Sequence, residues 1–315
     1  MSIAINHQEP SAEEIVRDLG TEPIPAYPYY HPDYFELEKA AIFRRSWLQI
    51  AHICELPAVD TCGGLIFVNL DPSPRQTLRE FLGGVADELE ALPMARATCF
   101  SEYVYEMEGN WKLIVDNFQE NYHLRVVHAR SAGGSGTGPE NPFGYPVAFG
   151  FNGPHRRQTI WTNPAVKPAP VQGVGFAKMV ECAAGDGLLN GPVNKDYFGI
   201  FPNLFVFSQP IMPQSHCIMP LSPDRSRGVV RLYWIGEDTN ASRRFAREYA
   251  FASIREVHAE DRISIEANQR GLRSGALQHI HFQSQEVLCR HFYHAVQSAI
   301  DDFKSSTGAR SPSAQ

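Results

Sequence analysis

The chain has 315 residues, of which 43% are hydrophobic and 20% charged. This is enough apolar material for a sizeable core, and it excludes a largely disordered chain. The 28 Lys and Arg residues against 35 Asp and Glu residues give a formal net charge of −7. Since there is also no basic block, nucleic acids and anionic membrane surfaces are not expected partners.

Targeting and redox features of the sequence are typical of a cytoplasmic protein. The first residues show no basic and apolar signal pattern, and no apolar run approaches the roughly 18 residues of a membrane span. The six cysteines are scattered, which is typical of reduced thiols. We therefore expect a cytoplasmic globular protein of one or two domains.

Elements of both types are predicted along the chain. Apolar spacing indicates helices, and β-rich runs bounded by turn residues indicate strands. In chain order we expect a helix over 32–43, strands over 47–53 and 65–70, a helix over 77–92, a surface loop over 131–144, strands over 200–207, 215–219 and 229–235, and helices over 241–270 and 284–303. The last two strands flank a turn and predict a hairpin. This order favours an α+β fold in which an antiparallel sheet grips a helix.

The stretch Asn110–His128 carries the most informative polar pattern. On a helix, Asp116, Glu120 and His123 would share one face. His128 follows His123 by five residues, which on an unbroken helix places it about 140° away. If both imidazoles bind one ion, the helix must therefore end or bulge between them. A solvated acidic and His face explains the same spacing, so the pattern alone leaves both readings open.

A carboxylate in the helix over 241–270 favours a metal site over a solvated face. Asp261 lies on the same face as the apolar residues Ala250, Ile254 and Ile265. A buried carboxylate needs a metal, an arginine or several hydrogen bonds. Two imidazoles and one carboxylate form the ligand set of non-haem Fe(II) oxygenases, which leaves positions open for O2 and substrate. His258, one turn earlier, is a rival ligand.

The motif itself resembles the catalytic domain of Rieske non-haem iron oxygenase α subunits, the ring-hydroxylating dioxygenase family, whose pattern is D/E-x3-D/E-x2-H-x4-H. The resemblance implies that His123 and His128 bind a mononuclear non-haem Fe(II). It also implies that Glu120 links this iron to the Rieske cluster of a neighbouring subunit. Asp116 would then be an acidic residue that lies next to the ligands and does not bind the iron.

The resemblance extends over nearly the whole chain. Residues 260–272 resemble the family's helix with the third ligand, which would place that ligand at Asp261. Residues 29–57, 64–72 and 201–204 also resemble the family. The fold implied is a helix-grip (START/Bet v1-like) antiparallel sheet wrapped around a long C-terminal helix.

One departure from the family is large. Its members carry C-x-H…C-x2-H in an N-terminal domain, where two Cys and two His hold a [2Fe–2S] cluster. This sequence has no such ligands for that cluster, and residues 53–57 lead almost directly into 59–67. We therefore expect an arm and the flanks of a missing Rieske domain over 1–72, the catalytic non-haem iron domain over 73–303, and a disordered tail over 304–315.

The function implied is that of an oxygenase catalytic subunit that activates O2 to hydroxylate or demethylate a small organic substrate. Electrons would come from a Rieske-bearing subunit, or from a ferredoxin and reductase, and the family suggests a homotrimer. Two alternatives stay open: an inactive helix-grip module that binds a hydrophobic small molecule, and an internal deletion of a longer enzyme.

Overall fold

The structure is a computed structural model that describes residues 19–52, 60–189, 195–237 and 239–308. Of the arm and flanks expected over 1–72, residues 1–18 and 53–59 lie outside these ranges. The strands are β1 Ile24–Pro25, β2 Trp47–His52, β3 Asp60–Cys62, β4 Leu65–Asn69, β5 Cys99–Met107, β6 Ala148–Asn152, β7 His155–Thr159, β8 Asp196–Ile200, β9 Leu204–Phe207, β10 Gln214–Ser222, β11 Arg225–Trp234 and β12 His279–Ile280. The α-helices are α1 Pro32–Glu38, α2 Leu78–Leu82, α3 Val85–Ala91, α4 Trp111–Asn117, α5 Leu124–Val127, α6 Gly133–Gly136, α7 Pro170–Gly185, α8 Ala241–Arg273 and α9 Val287–Thr307.

The central element is a seven-stranded antiparallel sheet in the order β5-β11-β10-β9-β8-β7-β6. Its hairpin β10–β11 was predicted, but the turn is only Pro223–Asp224, because the two strands pair as far as Ser222 and Arg225. Two short sheets, β2-β4-β3 and β1-β12, complete the β-structure. Helices and antiparallel sheets in one chain confirm the α+β class.

Helix α8 spans 33 residues and packs against α4 and α7. Its buried face includes Ala250, Ile254, Asp261 and Ile265, so the predicted apolar face with one carboxylate is confirmed. Gly271 lies inside the helix rather than ending it. The last turn continues to Arg273, since a single glycine costs a helix only about 1 kcal/mol.

The N-terminal part is joined to α4 by a buried ion pair. Lys112 Nζ lies 2.6 Å from Glu38 Oε1, and Trp111 Nε1 donates to Glu38 Oε2 at 3.0 Å. The Lys112 ammonium also donates to the Pro28 carbonyl at 2.9 Å. These contacts satisfy two charges that would otherwise be costly to bury.

Some boundaries differ from the sequence expectation. The helix predicted over 77–92 is two helices, because Gly83 adopts φ +54° and ends α2. Helix α9 continues to Thr307, into the predicted tail over 304–315, and residues 309–315 of that range lie outside the described residues.

The strand expected over 200–207 is two strands, since β8 ends at Ile200 and β9 begins at Leu204. The loop expected over 131–144 contains the short helix α6. The sequence prediction does not include strands β1, β3, β5, β6, β7 and β12 or helix α7. Among the described residues, no helix is long and apolar enough to cross a membrane.

Candidate metal centre

The loop after α4 carries the two histidines. Helix α4 ends at Asn117, and the chain turns before the short helix α5, which has His123 and His128 at its two ends. The expected continuous helix through Glu120 is therefore wrong, since α4 ends at Asn117. The expected helix end between the histidines is confirmed, because α5 stops at Val127, directly before His128. The single turn of α5 is what brings both imidazoles to one side.

Three side chains from this loop and α8 converge. His128 Nε2 lies 3.0 Å from Asp261 Oδ1, and His123 Nε2 lies 3.6 Å from the same oxygen. One ligand atom of each residue falls within 4.8 Å of the others. Two ligands bonded at roughly 2.1 Å and at right angles are about 3 Å apart, so these separations suit one shared ion.

A carboxylate orients each imidazole. His128 Nδ1 lies 2.8 Å from Glu260 Oε2, which also accepts a hydrogen bond from Ser131 Oγ. His123 Nδ1 pairs with Glu120 Oε1, and Glu120 Oε2 accepts from the His123 backbone N–H at 3.2 Å. An imidazole whose Nδ1–H is held by a carboxylate presents the Nε2 lone pair to a metal.

The third ligand fits a cation as well. Asp261 is 1% exposed, and Asn117 Nδ2 donates to its Oδ1 at 3.0 Å. Its Oδ2 is buried without a hydrogen-bond partner among the described residues. A buried carboxylate oxygen with no donor is costly, and a divalent ion at this point would satisfy it. The donor set of two nitrogens and one carboxylate is the one expected for non-haem Fe(II).

The electrostatics are consistent with a strongly polar centre. Burial lowers the pKa of His128, but the hydrogen bonds and charges of Asp261 and Glu260 outweigh this effect, and the net pKa is raised. Burial raises the pKa of Asp261, yet His128 and His123 bring the net value below its usual range. His128 and Asp261 therefore favour opposite charges, positive on the imidazole and negative on the carboxylate.

The remaining candidates lie elsewhere. His258 is not among the converging ligands, since its Nδ1 is hydrogen-bonded to the Tyr103 hydroxyl. Asp116 accepts a hydrogen bond from the Tyr29 hydroxyl at 2.8 Å. Burial, followed by the charge of Glu286, raises the pKa of Asp116 to about 7.

Sequence reasoning assigned no role to Glu260 or Asn117. Each acts through a partner far away in the chain, so no local spacing marks it. Glu260 does precede Asp261 directly, and a carboxylate next to a proposed ligand is a signal that could have suggested a supporting role. The converging side chains, and the hydrogen bonds that orient them, do not favour the alternative of an inactive helix-grip module that binds a hydrophobic small molecule.

Comparisons with known proteins show the family to which the chain belongs. The family model described as "Ring hydroxylating alpha subunit (catalytic domain)" matches residues 94–302. The chain is 27% identical over 203 residues to the large subunit of 2-halobenzoate 1,2-dioxygenase from Burkholderia cepacia. That match covers 55% of this chain and 40% of the relative, so the chain corresponds to less than half of that curated protein.

Solved structures share the fold. The quaternary ammonium Rieske monooxygenase CntA is 15% identical, with a TM-score of 0.68 over 93% of this chain and 99% of that one. Naphthalene 1,2-dioxygenase from Rhodococcus sp. is also 15% identical, with a TM-score of 0.63 over 92% and 97%. The family match spans well over half of the sequence, and the chain therefore belongs to the ring-hydroxylating oxygenase α-subunit family.

Proposed function

We propose that this chain is the catalytic unit of a non-haem Fe(II) oxygenase that uses O2 to hydroxylate or demethylate a small organic substrate. The observation that carries the proposal is the convergence of His123, His128 and Asp261, each within 4.8 Å of the others, in a chain of this family. Bound iron would supply O2 binding and redox chemistry at positions that the three protein ligands leave open.

The chain's own residues have distinct roles in this proposal. His123, His128 and Asp261 hold the ion, and Glu260 fixes the ring of His128. Glu120 fixes the ring of His123 and, by its place in the family motif, would be the point where electrons from a partner enter. Asp116 is assigned as an acidic residue near the ligands that does not itself bind the ion.

Partners and boundaries belong to the same proposal. Electrons come from a Rieske-bearing subunit, or from a ferredoxin and reductase, because the sequence lacks the Cys and His pairs of a [2Fe–2S] cluster. The catalytic domain extends over 73–303 in a helix-grip arrangement, with remnants of the Rieske domain before it, and it assembles as a homotrimer. The substrate of the curated relative, 2-halobenzoate, supports an aromatic substrate.

Metal analysis after anaerobic loading with Fe(II) tests the ligand set. We expect one iron per chain in the wild type and loss of iron in H123A, H128A and D261A, because each removes one of only three protein ligands. His281, an exposed histidine outside the group, provides the matched control H281A, which should bind iron like the wild type.

The visible spectrum tests the absence of the cluster. A Rieske centre is coloured, whereas a mononuclear ferrous site is nearly colourless, so the loaded protein should show no cluster absorption. Equal iron in the wild type and the H123A/H128A double variant would overturn the ligand assignment. Cluster absorption in the isolated chain would overturn the need for a Rieske-bearing partner.

A further inference from the structure

An aromatic cluster lies beside the metal ligands on the inner face of the sheet. We define it by six side chains: Tyr103, Tyr105, Phe118, Phe205, His216 and His258. It is next to the candidate metal centre, since His258 precedes Asp261 by one helical turn. Burial raises the pKa values of Tyr103 and Tyr105, and the negative charge of Asp261 raises them further.

Two tyrosine–histidine pairs give the cluster its polar character. The Tyr105 hydroxyl lies 2.6 Å from His216 Nε2, and the Tyr103 hydroxyl is hydrogen-bonded to His258 Nδ1. The two imidazole rings are 4.9 Å apart at an interplanar angle of 30°. The Phe118 ring stands edge-on to the His216 ring, at 4.8 Å and 89°.

The two pairs leave one ring nitrogen of His216, Nδ1, unaccounted for. It is 2% exposed, and its Nδ1 has no hydrogen-bond partner among the described residues. All its ring neighbours, at 4.8–6.4 Å, are members of the aromatic cluster. His216 therefore contributes a buried nitrogen without a described partner to the aromatic cluster.

Hydrogen-bond counting identifies the tautomer. Burial, and then the neighbouring His258, lowers the pKa of His216 well below its usual range, so the ring is neutral. If Tyr105 donates to Nε2, the proton of His216 is on Nδ1 and only this N–H is left over. If Nε2 donated instead, the Tyr105 O–H and the Nδ1 lone pair would both be left without partners. The first arrangement leaves fewer buried polar groups without partners and therefore costs less free energy.

We propose that His216 recognises the substrate, and that its Nδ1–H donates to an oxygen acceptor carried by an aromatic ring. This inference rests on the proposed oxygenase function and narrows its substrate class. The six side chains of the cluster supply aromatic surface, and the His216 Nδ1–H is a buried donor without a partner among the described residues. Neither histidine of the cluster is cationic, since burial lowers the pKa of both. The acceptor therefore comes from the ligand, while the ring contacts the aromatic walls.

A matched pair of probes tests the acceptor. Acetophenone and α-methylstyrene have the same shape and differ by an oxygen in place of a CH2 group. In the Fe(II)-loaded, oxygen-free protein we expect acetophenone to bind about tenfold more tightly by calorimetric titration, as one neutral hydrogen bond from a buried donor allows. The same samples are assayed for iron.

Variants locate the donor. H216F keeps a ring but removes the N–H, so the two probes should bind equally. H216N restores a side-chain N–H donor and should recover part of the preference for acetophenone. H281F makes the same change at an exposed histidine outside the cluster, so it is the matched control and should keep the wild-type ratio.

Equal binding of the two probes to iron-loaded wild type would overturn the proposal, as would a preference for acetophenone that survives in H216F. If H216F does not fold, H216N decides, because a ratio between unity and the wild-type value supports the donor role and a ratio above the wild type contradicts it. The iron assay separates the two claims. Iron without probe preference refutes this inference alone, whereas probe preference without iron refutes only the oxygenase assignment.

Discussion

The two ends of helix α4 differ in how they are held. At its start, Lys112 and Glu38 form a buried ion pair surrounded by hydrogen bonds and aromatic rings. Beyond its end, the loop with His123 and His128 brings polar groups together around Asp261 Oδ2, which has no hydrogen-bond partner among the described residues. In the first region the Lys112 ammonium compensates the buried Glu38 carboxylate, whereas in the second a bound cation would compensate Asp261 Oδ2. We call the first region the scaffold end of α4 and the second the site end.

The largest effect is expected at the scaffold end. K112M removes the ammonium and leaves the Glu38 carboxylate buried at 0% exposure. We expect the free energy of unfolding to fall by about 3–5 kcal/mol, as for other broken buried pairs, with one iron still bound per folded chain. Urea unfolding measures the change.

A double variant sharpens this result. In K112M/E38Q, the carboxylate is replaced by a neutral amide that still offers an oxygen to the Trp111 N–H, so part of the lost stability should return. A loss below about 1 kcal/mol in K112M would mean that the ion pair is not what secures this end of α4.

A smaller effect is expected at the site end. E260Q replaces the carboxylate that holds His128 Nδ1 at 2.8 Å by a neutral amide. Loss of such a partner typically reduces metal affinity 10–100-fold, and we expect this drop in a competition titration with a chelator. E256Q, an exposed position one turn earlier on α8, is the control and should bind iron normally. Unchanged affinity in E260Q would remove Glu260 from the site.

A pH-dependent effect separates the scaffold further from the site. His155 Nδ1 accepts from the Phe201 N–H at 3.1 Å, and its Nε2 lies 2.7 Å from the Phe81 carbonyl, so the neutral ring is fully bonded. Burial lowers its pKa to about 4. Because the folded pKa lies below the unfolded value of about 6.5, the unfolded state takes up the proton first, and stability is lost as pH falls from 6.5 towards 4.

At pH 5 this single group should cost about 2 kcal/mol relative to pH 7. Denaturant unfolding of the metal-free wild type and of H155Q over pH 4.5–7 measures it. The variant is less stable throughout, but its stability should fall less steeply with decreasing pH. Parallel curves for the two proteins would contradict the assignment.

Sequence patterns predicted the long-range architecture better than the local path of the site. The long helix α8 and the hairpin β10–β11 follow from strong periodicity and turn residues. The ligands His123, His128 and Asp261 were proposed from a motif, and the structure brings them together. The break before His123 was missed because Asp116, Glu120 and His123 keep helical spacing, and the segment between α4 and α5 contains neither Gly nor Pro.

Other features depend on partners that the sequence does not place together. Asn117 supports Asp261 across 144 positions, and the Tyr105–His216 contact joins strands β5 and β10, which are not neighbours in the sheet. Strands β6 and β7 have polar as well as aromatic side chains, and α7 has apolar residues on its exposed side, such as Val171 and Phe176. Neither gives a clean period of two or of 3.6.

The buried pair Glu38–Lys112 has a consequence for the limits of the folding unit. The family match begins at residue 94, but the core around Trp111 and Phe292 also contains Tyr34 and Ile42. A fragment cut at the family boundary would expose this apolar surface to solvent and leave a lysine inside without its counter-ion. Residues 34–43 therefore belong to the folded core around α4, and an expression fragment should start upstream of α1.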